Sequence, residues 1–392
     1  MTEPLSPDEL VTELVAREPS AAADRDAIRM VRAPGRVNLI GEHTDYNAGL
    51  VLPAAIDREI RIAYLPTNDR RVVLTRLDSG GTGAFDLDGD RRRSGTWLDY
   101  VAGVAWALAE AGLPTTGLRG VIATTLPESA GLASSAAIEV ASAWALLGGA
   151  ASDVGPLSIA QICQRAENGY VGIQSGLMDQ FASSCGVEGA ALLLDCRSFE
   201  WRSVALPRDM ALVVCHTGAP RRLTSTEYNV RRAECEAAVE GIRRVDPSIL
   251  TLRDVSAALL AAARGGLDPV VARRAEHVIA ENARVLDTLV ALEAEDRATI
   301  AEAFASSHAS LRDLFDVSSP ELDALVEIAV AVPGVVGARM TGGGFGGCTV
   351  NLVETDRVEA LERTVVASYP RRTGLTPKVM VVAPADGAGR LV

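Results

Sequence analysis

The chain contains a single lysine, Lys378, and its other permanently charged basic residues are arginines. Lys378 lies in the segment Thr376-Pro377-Lys378-Val379, far from any glycine-rich loop. A P-loop requires the motif G-x-x-x-x-G-K-[ST], and a protein kinase requires a strand lysine that contacts the phosphates. The sequence therefore excludes both nucleotide-binding plans, and any phosphate site in this chain has to be built without a lysine.

Length and charge limit the number of domains and the classes of partner that the chain can have. At 392 residues, with 48% hydrophobic and 23% charged residues, the chain is long enough for two globular domains. A net charge of -13 argues against a nucleic-acid-binding surface, which needs a basic stripe. Residues 1–9 are acidic and polar, unlike a signal peptide, and no apolar run reaches membrane-spanning length. We therefore expect a cytoplasmic monomer that binds neither nucleic acid nor membranes.

The cysteines and histidines do not form a metal-binding pattern. The six cysteines are scattered without C-x-x-C spacing, so neither a zinc site nor a disulfide framework is indicated, and we expect small buried hydrophobic residues. His277 and His308 lie in predicted helices without carboxylate or cysteine neighbours at ligand spacing. We interpret both histidines as structural.

Hydrophobic periodicity predicts mixed strands and helices. Strands are predicted at residues 28–33, 60–65, 72–77, 120–125, 190–194, 210–215, 337–340 and 348–354. Helices are predicted at residues 8–18, 97–111, 134–147, 156–167, 225–244, 253–264, 268–293, 296–314 and 320–331. Residues 79–95, rich in glycine and arginine, are expected to form a surface hairpin. We place a domain boundary near Ser203, which divides the chain into residues 1–202 and 203–392.

A polar stretch at residues 35–47 begins as a strand and ends as a loop. Five hydrogen-bonding side chains fall within ten residues: Asn38, Glu42, His43, Asp45 and Asn47. A polyol such as a sugar needs such a set, because each hydroxyl both donates and accepts and buried polar groups need partners. A polar turn between the apolar runs 37–40 and 50–56 would show the same pattern.

A second stretch, residues 126–139, joins a predicted strand to a predicted helix through small residues. Free backbone N–H groups and the positive end of the helix dipole can bind phosphate there without a lysine. Ser134 and Ser135 can offer their hydroxyls to phosphate or magnesium. An ordinary serine cap at a helix start is the alternative interpretation.

Four further features allow two interpretations each. Trp97 is either a core aromatic or part of a site. Glu167, near a helix end, is either solvated or a ligand, and Asp179, among apolar neighbours, is either a helix N-terminal charge or a carboxylate buried for a purpose. Residues 342–347 contain five glycines, which allow a close backbone approach to a ligand but also suit a tight hairpin.

The stretch at residues 35–47 resembles the galactokinase signature, and Val51-Leu52-Pro53 continues the resemblance. Residues 127–139, 176–180 and 341–348 resemble the same family, a member of the galactokinase, homoserine kinase, mevalonate kinase and phosphomevalonate kinase (GHMP) superfamily. The resemblance extends from Ala33 to Val353, with the motifs in the family's order. It implies an α+β fold of two domains, with the active site in the cleft between them.

The resemblance also implies a reaction. The γ-phosphoryl group of ATP would be transferred, with Mg²⁺, to the C1 hydroxyl of α-D-galactose, giving galactose 1-phosphate and ADP. Asp179 would act as general base or mainly orient the hydroxyl, and Arg36 would keep Asp179 ionised and stabilise the developing charge. The remaining roles concern binding of sugar, nucleotide and metal.

The resemblance assigns these binding roles to particular residues. Glu42, His43, Asp45 and Tyr228 would hold the sugar, and Ser135 and Glu167 would hold magnesium. Tyr228 lies in the first turn of a helix that Thr224 and Glu227 would cap. The nucleotide would contact Trp97, Gly131, Leu132, Ser134 and Ser135.

The chain departs from the family's usual pattern at Ser129, Ala133 and Ala137, and in the loop 217–223. Two alternatives to a galactokinase stay open. One is a kinase for N-acetylgalactosamine or another sugar, although we expect Thr44 and Asn47 to favour the plain sugar. The other is a galactose- and ATP-binding sensor without turnover.

Overall fold

The computed structural model describes residues 4–89, 92–127, 130–219 and 225–391. Its strands are β1 (Arg29–Asn38), β2 (Leu50–Val51), β3 (Pro53–Thr67), β4 (Arg71–Arg76), β5 (Thr82–Asp86), β6 (Gly117–Thr124), β7 (Ala190–Asp195), β8 (Trp201–Ala205), β9 (Met210–His216), β10 (Val335–Thr341), β11 (Cys348–Glu354), β12 (Lys378–Val382) and β13 (Gly389–Arg390). Its α-helices are α1 (Pro7–Arg17), α2 (Leu98–Glu110), α3 (Ser134–Leu147), α4 (Ala151–Val154), α5 (Pro156–Ala166), α6 (Met178–Cys185), α7 (Ser225–Ile242), α8 (Ala257–Ala263), α9 (Pro269–Glu293), α10 (Arg297–Asp313), α11 (Pro320–Val330) and α12 (Val358–Thr373).

The first sheet has the strand order β13-β1-β3-β6-β4-β5, in which β4 and β6 run parallel and the other neighbours antiparallel. Helices α3 and α6 pack against β1, and α2 and α5 pack on α3. Small residues of α3, such as Ala137 and Ala141, are fully buried and allow close helix–sheet packing. The resulting apolar core, which includes Val37, Ile62 and Leu146, holds β1 and the start of α3 side by side.

The second sheet has the order β10-β11-β9-β12 and is antiparallel throughout. Helices α10 and α11 pack on β10, and α12 packs on α11. A third, small sheet consists of β2, β7 and β8. The long helix α9 contacts α7, α10, β2 and β8, so it runs beside the segment that follows β1. Mixed strands and helices agree with the predicted α+β class.

Most predicted elements are confirmed within a few residues. Strand β5 lies within residues 79–95, where a surface hairpin was predicted, but its antiparallel partner is β4, which precedes that region. The helix predicted at 253–264 is shorter, because the hydroxyl of Ser256 caps a helix that begins at Ala257. The elements that were not predicted are β2, β8, β12, β13, α4, α6 and α12. Thr224, Ser129 and residues 220–223 lie outside the described residues, and the division at Ser203 stays a prediction.

The side chains that were expected to be structural behave as such. All six cysteines are buried. His277 bonds with Ser310 and with the backbone of Glu42, and His308 lies 3.2 Å from Asp323 Oδ1. Across the part of the chain that the structure describes, no helix is long and apolar enough to cross a lipid bilayer.

Candidate active site

A cavity of about 430 Å³ lies between the N-terminal and C-terminal halves of the chain. It brings together most of the predicted site residues: Arg36, Glu42, His43, Asp45, Gly131, Ser134, Ser135, Glu167, Asp179 and Tyr228. Gly342 and Gly343 of the glycine-rich loop also line it. Since the loop joins β10 to β11 as well, both interpretations of its glycines hold: it is a tight connection and a wall of the cavity.

Arg36 and Asp179 form a two-pronged ion pair at this cavity. Arg36 donates from Nε to Asp179 Oδ1 and from Nη2 to Asp179 Oδ2, both at 2.8 Å. Its Nη1 donates to the carbonyl oxygen of Gly131 at 2.6 Å. The Arg36 side chain is 4% exposed, whereas that of Asp179 is 29% exposed. The arginine is therefore fixed, and the aspartate keeps a face open to a ligand.

A β-bulge determines where Arg36 points. The register of β1 against β3 shifts between Pro34 and Arg36, and bulges often redirect a side chain beside a functional site. At Gly35, between them, a Cβ atom would lie 2.5 Å from the carbonyl oxygen of Leu132. Only glycine permits this contact between β1 and the loop before α3, which brings Arg36 within reach of Gly131.

The segment after β1 presents three polar side chains with distinct ionisation states. Burial raises the pKa of Glu42, although the charge of Arg339 opposes this effect. Burial, then the neighbouring His277 and Arg231, lowers the pKa of His43 to about 3, so the ring is neutral at pH 7. Burial, then repulsion by Asp179, raises the pKa of Asp45 to about 6. The wall offers carboxylate acceptors and a neutral imidazole, a set that suits sugar hydroxyls.

The other polar residues of this stretch support the loop. Asn38 is fully buried, and Asn47 donates to the carbonyl oxygen of His43 at 2.9 Å. The hydroxyl of Thr44 lies 2.7 Å from the carbonyl oxygens of Gly41 and Leu50. Neither Thr44 nor Asn47 is among the residues that line the cavity, and local backbone groups occupy both side chains. The expectation that they favour the plain sugar stays a prediction.

Tyr228, in the first turn of α7, lines the cavity beside the sugar stretch. Its ring lies 5.7 Å from that of His43 and 5.4 Å from that of Tyr46. Burial, followed by the charges of Asp45 and Asp179, raises the pKa of Tyr228 well above its usual value. The hydroxyl therefore stays protonated and can both donate and accept.

The start of α3 faces the same cavity. The cap residue is Ala133, with a left-handed φ of 60°, and it makes no side-chain cap. The alternative of an ordinary serine cap is therefore wrong. The hydroxyls of Ser134 and Ser135 line the cavity instead, beside the positive end of a 14-residue helix. This arrangement can bind phosphate without lysine.

Glu167 lies at the end of α5, where a single π-helical turn spans Glu167–Val171. Its Oε2 accepts from Ser175, and from Gln180 Nε2 at 2.9 Å, while Ser135 bonds the same carboxylate. Burial raises the pKa of Glu167. The structure thus brings Glu167 and Ser135 together, with oxygen donors of the hard type that magnesium prefers.

Among the described residues, no group of three or more histidine, cysteine, aspartate or glutamate side chains could hold a metal ion. In nucleotide sites magnesium is usually bound by one or two carboxylates together with phosphates and water. Ser135 and Glu167 therefore fit the ion as a partial shell that a bound nucleotide would complete.

A second cavity, of about 340 Å³, adjoins the first and shares Tyr100, Ser134 and Ser135 with it. Trp97 lines it, with the apolar side chains of Ile60, Ile122, Leu126 and Ile138. Trp97 also packs on the main core, which agrees with the interpretation as a core aromatic, while its role in a site stays a prediction. Leu132 is 1% exposed and belongs to the core.

Several lining residues had no role in the sequence analysis. Tyr100, Ser175, Gly176 and Met178 contribute to the first cavity. At Gly176 a Cβ atom would collide with the carboxylate of Asp45, so only glycine allows this approach. Gly176 and Met178 belong to the stretch 176–180 that resembles the family, and that resemblance was the signal for them, although it assigned a role only to Asp179.

The sequence matches three family models. The galactokinase galactose-binding signature matches residues 21–66, the GHMP kinases N terminal domain matches residues 99–187, and the GHMP kinases C terminal model matches residues 288–371. The galactokinase of Roseiflexus sp. (strain RS-1) is 44% identical over 363 residues, which cover 93% of each chain. That of Chloroflexus aggregans (strain MD-66 / DSM 9485) is 42% identical over 362 residues, or 92% of each chain.

The fold has close counterparts among solved structures. Lactococcus lactis galactokinase complexed with galactose superimposes with a TM-score of 0.92 at 34% identity, over 97% of this chain and 100% of that one. Methanococcus jannaschii mevalonate kinase, at 17% identity, has a TM-score of 0.65 over 92% of this chain and 100% of that one, and shares the fold. The predicted two-domain GHMP fold is confirmed, and the chain belongs to the galactokinase family of the GHMP kinases.

Proposed function

We propose that this chain transfers the γ-phosphoryl group of ATP to the C1 hydroxyl of α-D-galactose, giving galactose 1-phosphate and ADP. As a member of the galactokinase family it is an ATP-dependent sugar kinase. The observation that carries the proposal is the ion pair of Arg36 and Asp179 in a cavity between the sugar stretch and the start of α3. Acceptor, catalytic pair and phosphate site would then share one cavity.

Asp179 would accept the proton of the sugar hydroxyl or orient that hydroxyl. Its exposed face leaves room for the hydroxyl, while both its oxygens are bonded to Arg36. Arg36, fixed by Gly131 on its other side, would supply a preorganised positive charge where negative charge moves during transfer. Because phosphoryl transfer depends mainly on positioning and charge stabilisation, a rigid pair of this kind suits either role of Asp179.

The sugar would be bound by Glu42, His43, Asp45 and Tyr228. Neutral His43 can exchange hydrogen bonds with a hydroxyl, and its buried Nε2 has no hydrogen-bond partner within the described part of the chain. An orphaned buried nitrogen is costly, and a sugar hydroxyl would satisfy it. The unpaired Nε2 of His43 supports the assignment of the sugar to this side of the cavity.

The nucleotide would span both cavities. Its phosphates would lie at Gly131, Ser134 and Ser135, and its base in the apolar cavity beside Trp97, with Leu132 supporting the loop from the core. Magnesium, held by Ser135 and Glu167, would neutralise phosphate charge when bound. A cytoplasmic location and a monomeric state stay predictions.

The test is ADP release by the purified protein with ATP and magnesium. The acceptors are galactose, N-acetylgalactosamine, glucose, arabinose, homoserine and mevalonate. We expect the highest kcat/KM on galactose. Highest turnover on another acceptor would contradict the choice of sugar, and galactose binding without turnover would indicate a sensor.

A further inference from the structure

The backbone that follows β1 exchanges hydrogen bonds with side chains of the C-terminal half, accepting some and donating another. Arg339 on β10 donates from Nη1 to the carbonyl oxygen of Leu39 at 2.9 Å. The N–H of Gly41 donates to Glu281 Oε1, on α9, at 3.1 Å. Nε2 of His277, also on α9, lies 3.1 Å from the carbonyl oxygen of Glu42. Because buried backbone groups need partners, these bonds determine the path of the loop that carries Glu42.

Arg339 also contacts the side chain of Glu42. Its Nη2 forms an ion pair with Glu42 Oε2, and the two side chains are 0% and 1% exposed. The N–H of Gly342 donates to the other oxygen, Glu42 Oε1, at 3.1 Å. Both carboxylate oxygens are thus held by β10 and the loop after it. The direction in which Glu42 faces the cavity depends on these contacts.

Glu281 completes the cluster. Its Oε1 lies 3.7 Å from Arg339 Nη2 and accepts from the hydroxyl of Ser307 at 2.6 Å, while Oε2 accepts from Arg284 at 2.7 Å. Burial raises the pKa of Glu281, but the neighbouring His277 and the two arginines outweigh it and lower the pKa to about 2. The Glu281 carboxylate therefore lies as a counter-charge beside the guanidinium of Arg339.

We propose that Arg339 and Glu281 are positioning residues that orient Glu42 toward the sugar, so that galactose affinity and selectivity depend on the C-terminal half of the chain. The inference rests on the proposed function, since it requires Glu42 to bond a sugar hydroxyl. The guanidinium fork can hold the Leu39 carbonyl and the Glu42 carboxylate at once. A lysine ammonium keeps the charge but lacks the fork, so Arg339→Lys tests the geometry separately from the charge.

The experiment measures the affinities of galactose and its 2-, 3-, 4- and 6-deoxy forms by calorimetry. The proteins are the wild type, Arg339→Lys and Glu281→Gln. In the wild type, the deoxy sugar that lacks the hydroxyl bonded by Glu42 is expected to bind roughly tenfold more weakly than galactose. In both variants we expect galactose affinity to fall about tenfold, while ATP affinity stays within about twofold of the wild-type value. The deoxy penalty is the loss of affinity caused by removing one hydroxyl from the sugar. In both variants this penalty should become smaller for the hydroxyl that Glu42 bonds.

Glu59→Gln is the matched control. Glu59 is also a buried carboxylate, 5% exposed, and it contacts Arg32 and Arg61 on the first sheet, outside the residues that line the cavity. Its substitution is expected to lower Tm without changing the deoxy penalties. Should Arg339→Lys fail to fold, Ser307→Ala removes one bond to Glu281 and is expected to shift the same penalty less strongly.

The outcomes separate the two proposals. The inference is overturned if the deoxy penalties are unchanged and only Tm falls in folded Arg339→Lys, Glu281→Gln and Ser307→Ala. The cluster would then have a purely structural role. Galactose binding that is absent in the wild type would overturn the proposed function itself. Turnover of galactose by the wild type, with unaltered selectivity in the variants, would overturn the inference alone.

Discussion

Asp45 and Asp179 face the same cavity but have different electrostatic surroundings. Asp179 bonds to Arg36 through both oxygens. Asp45 accepts from the backbone N–H groups of Tyr46 and Met178, while burial and then Asp179 raise its pKa to about 6. Two carboxyl groups with different environments can serve two tasks. The structure favours Asp179 for the reacting hydroxyl and Asp45 for binding.

Asp179→Asn tests whether Asp179 acts on the reacting hydroxyl of the sugar. The amide keeps the shape but cannot take up a proton from the sugar, so we expect kcat to fall by about 10²- to 10⁴-fold. Arg36 also loses its counter-charge, so Tm should fall while the circular dichroism spectrum keeps its native form. Asp209→Asn is the control, because Asp209 pairs with Arg297 at the surface. A nearly normal kcat in Asp179→Asn would remove the residue from catalysis.

Asp45→Asn tests how much the buried, ionised Asp45 lowers the free energy of unfolding. Because folding raises the pKa of Asp45, its protonation favours the folded state: this contribution is complete below about pH 4 and is lost as pH rises through about 6. Without ligand, the asparagine variant should exceed the wild type by up to about 3 kcal/mol in free energy of unfolding at pH 8, and by little at pH 4. Denaturant unfolding at both pH values measures this difference, and galactose affinity should fall.

The control for this prediction is Asp69→Asn. Hydrogen bonds from Thr67 and then Arg119 lower the pKa of Asp69 to about 2, so its stabilising contribution is present above about pH 4 and lost on acidification. Its substitution should therefore destabilise the protein at pH 8. Equal signs for the two variants at pH 8 would contradict the electrostatic explanation.

At the scale of elements, two irregular segments position the site. The bulge at Pro34–Arg36 directs Arg36 toward the loop before α3. The glycine-rich loop after β10 reaches the same place from the other half: a Cβ atom on Gly342 would lie 2.9 Å from the carbonyl oxygen of Gly131. Both segments therefore act on the backbone that holds Arg36.

Gly342→Ala should separate this contact from backbone strain. Gly342 has a φ of 81°, so alanine costs about 1 to 2 kcal/mol there, and the added methyl group pushes Gly131 away. We expect kcat to fall at least about tenfold, because a small displacement of Arg36 misaligns the catalytic pair. Gly374→Ala is the matched control, since its φ is 73° but the space around it is open. Equal kcat values in the two variants would contradict the expected role of the contact.

The elements that sequence periodicity predicted are those with a continuous buried face. Strand β11, for example, is buried along almost its whole length and has its predicted bounds. Strand β8 was missed because only Val204 of its five residues is buried, which leaves no alternation. Helix α12 was missed although Leu361, Val365 and Tyr369 recur every four residues, a helical signal that was present in the sequence.

At the scale of the whole molecule, the site exists because the two halves meet. Arg36 and Asp179 come from the N-terminal half, and Tyr228 and Gly342 from the C-terminal half. The end of the chain returns to the first sheet, where the N–H of Ala385 donates to the carbonyl oxygen of Ala55 at 3.1 Å. Separation of the two halves would therefore break backbone hydrogen bonds of this kind and would also disrupt the cavity.

The sequence by itself determined which local chemistries are present. A single lysine excluded P-loop and protein-kinase sites, small residues before α3 indicated a lysine-free phosphate site, and four motifs in order indicated the family. These features are local, because they depend on residue type and short spacing. Most of the residues that the resemblance assigned to the site line one cavity, and their roles stay predictions.

Only the tertiary structure decided which polar side chains face the cavity. Arg36 meets Asp179 across 143 positions of sequence, and Arg339 reaches Leu39 across 300. Asn47 and Thr44 look like sugar ligands by spacing but bond to nearby backbone. The physical reason is that a buried polar group bonds to whichever partner packing places within about 3 Å, and that partner can lie anywhere in the chain.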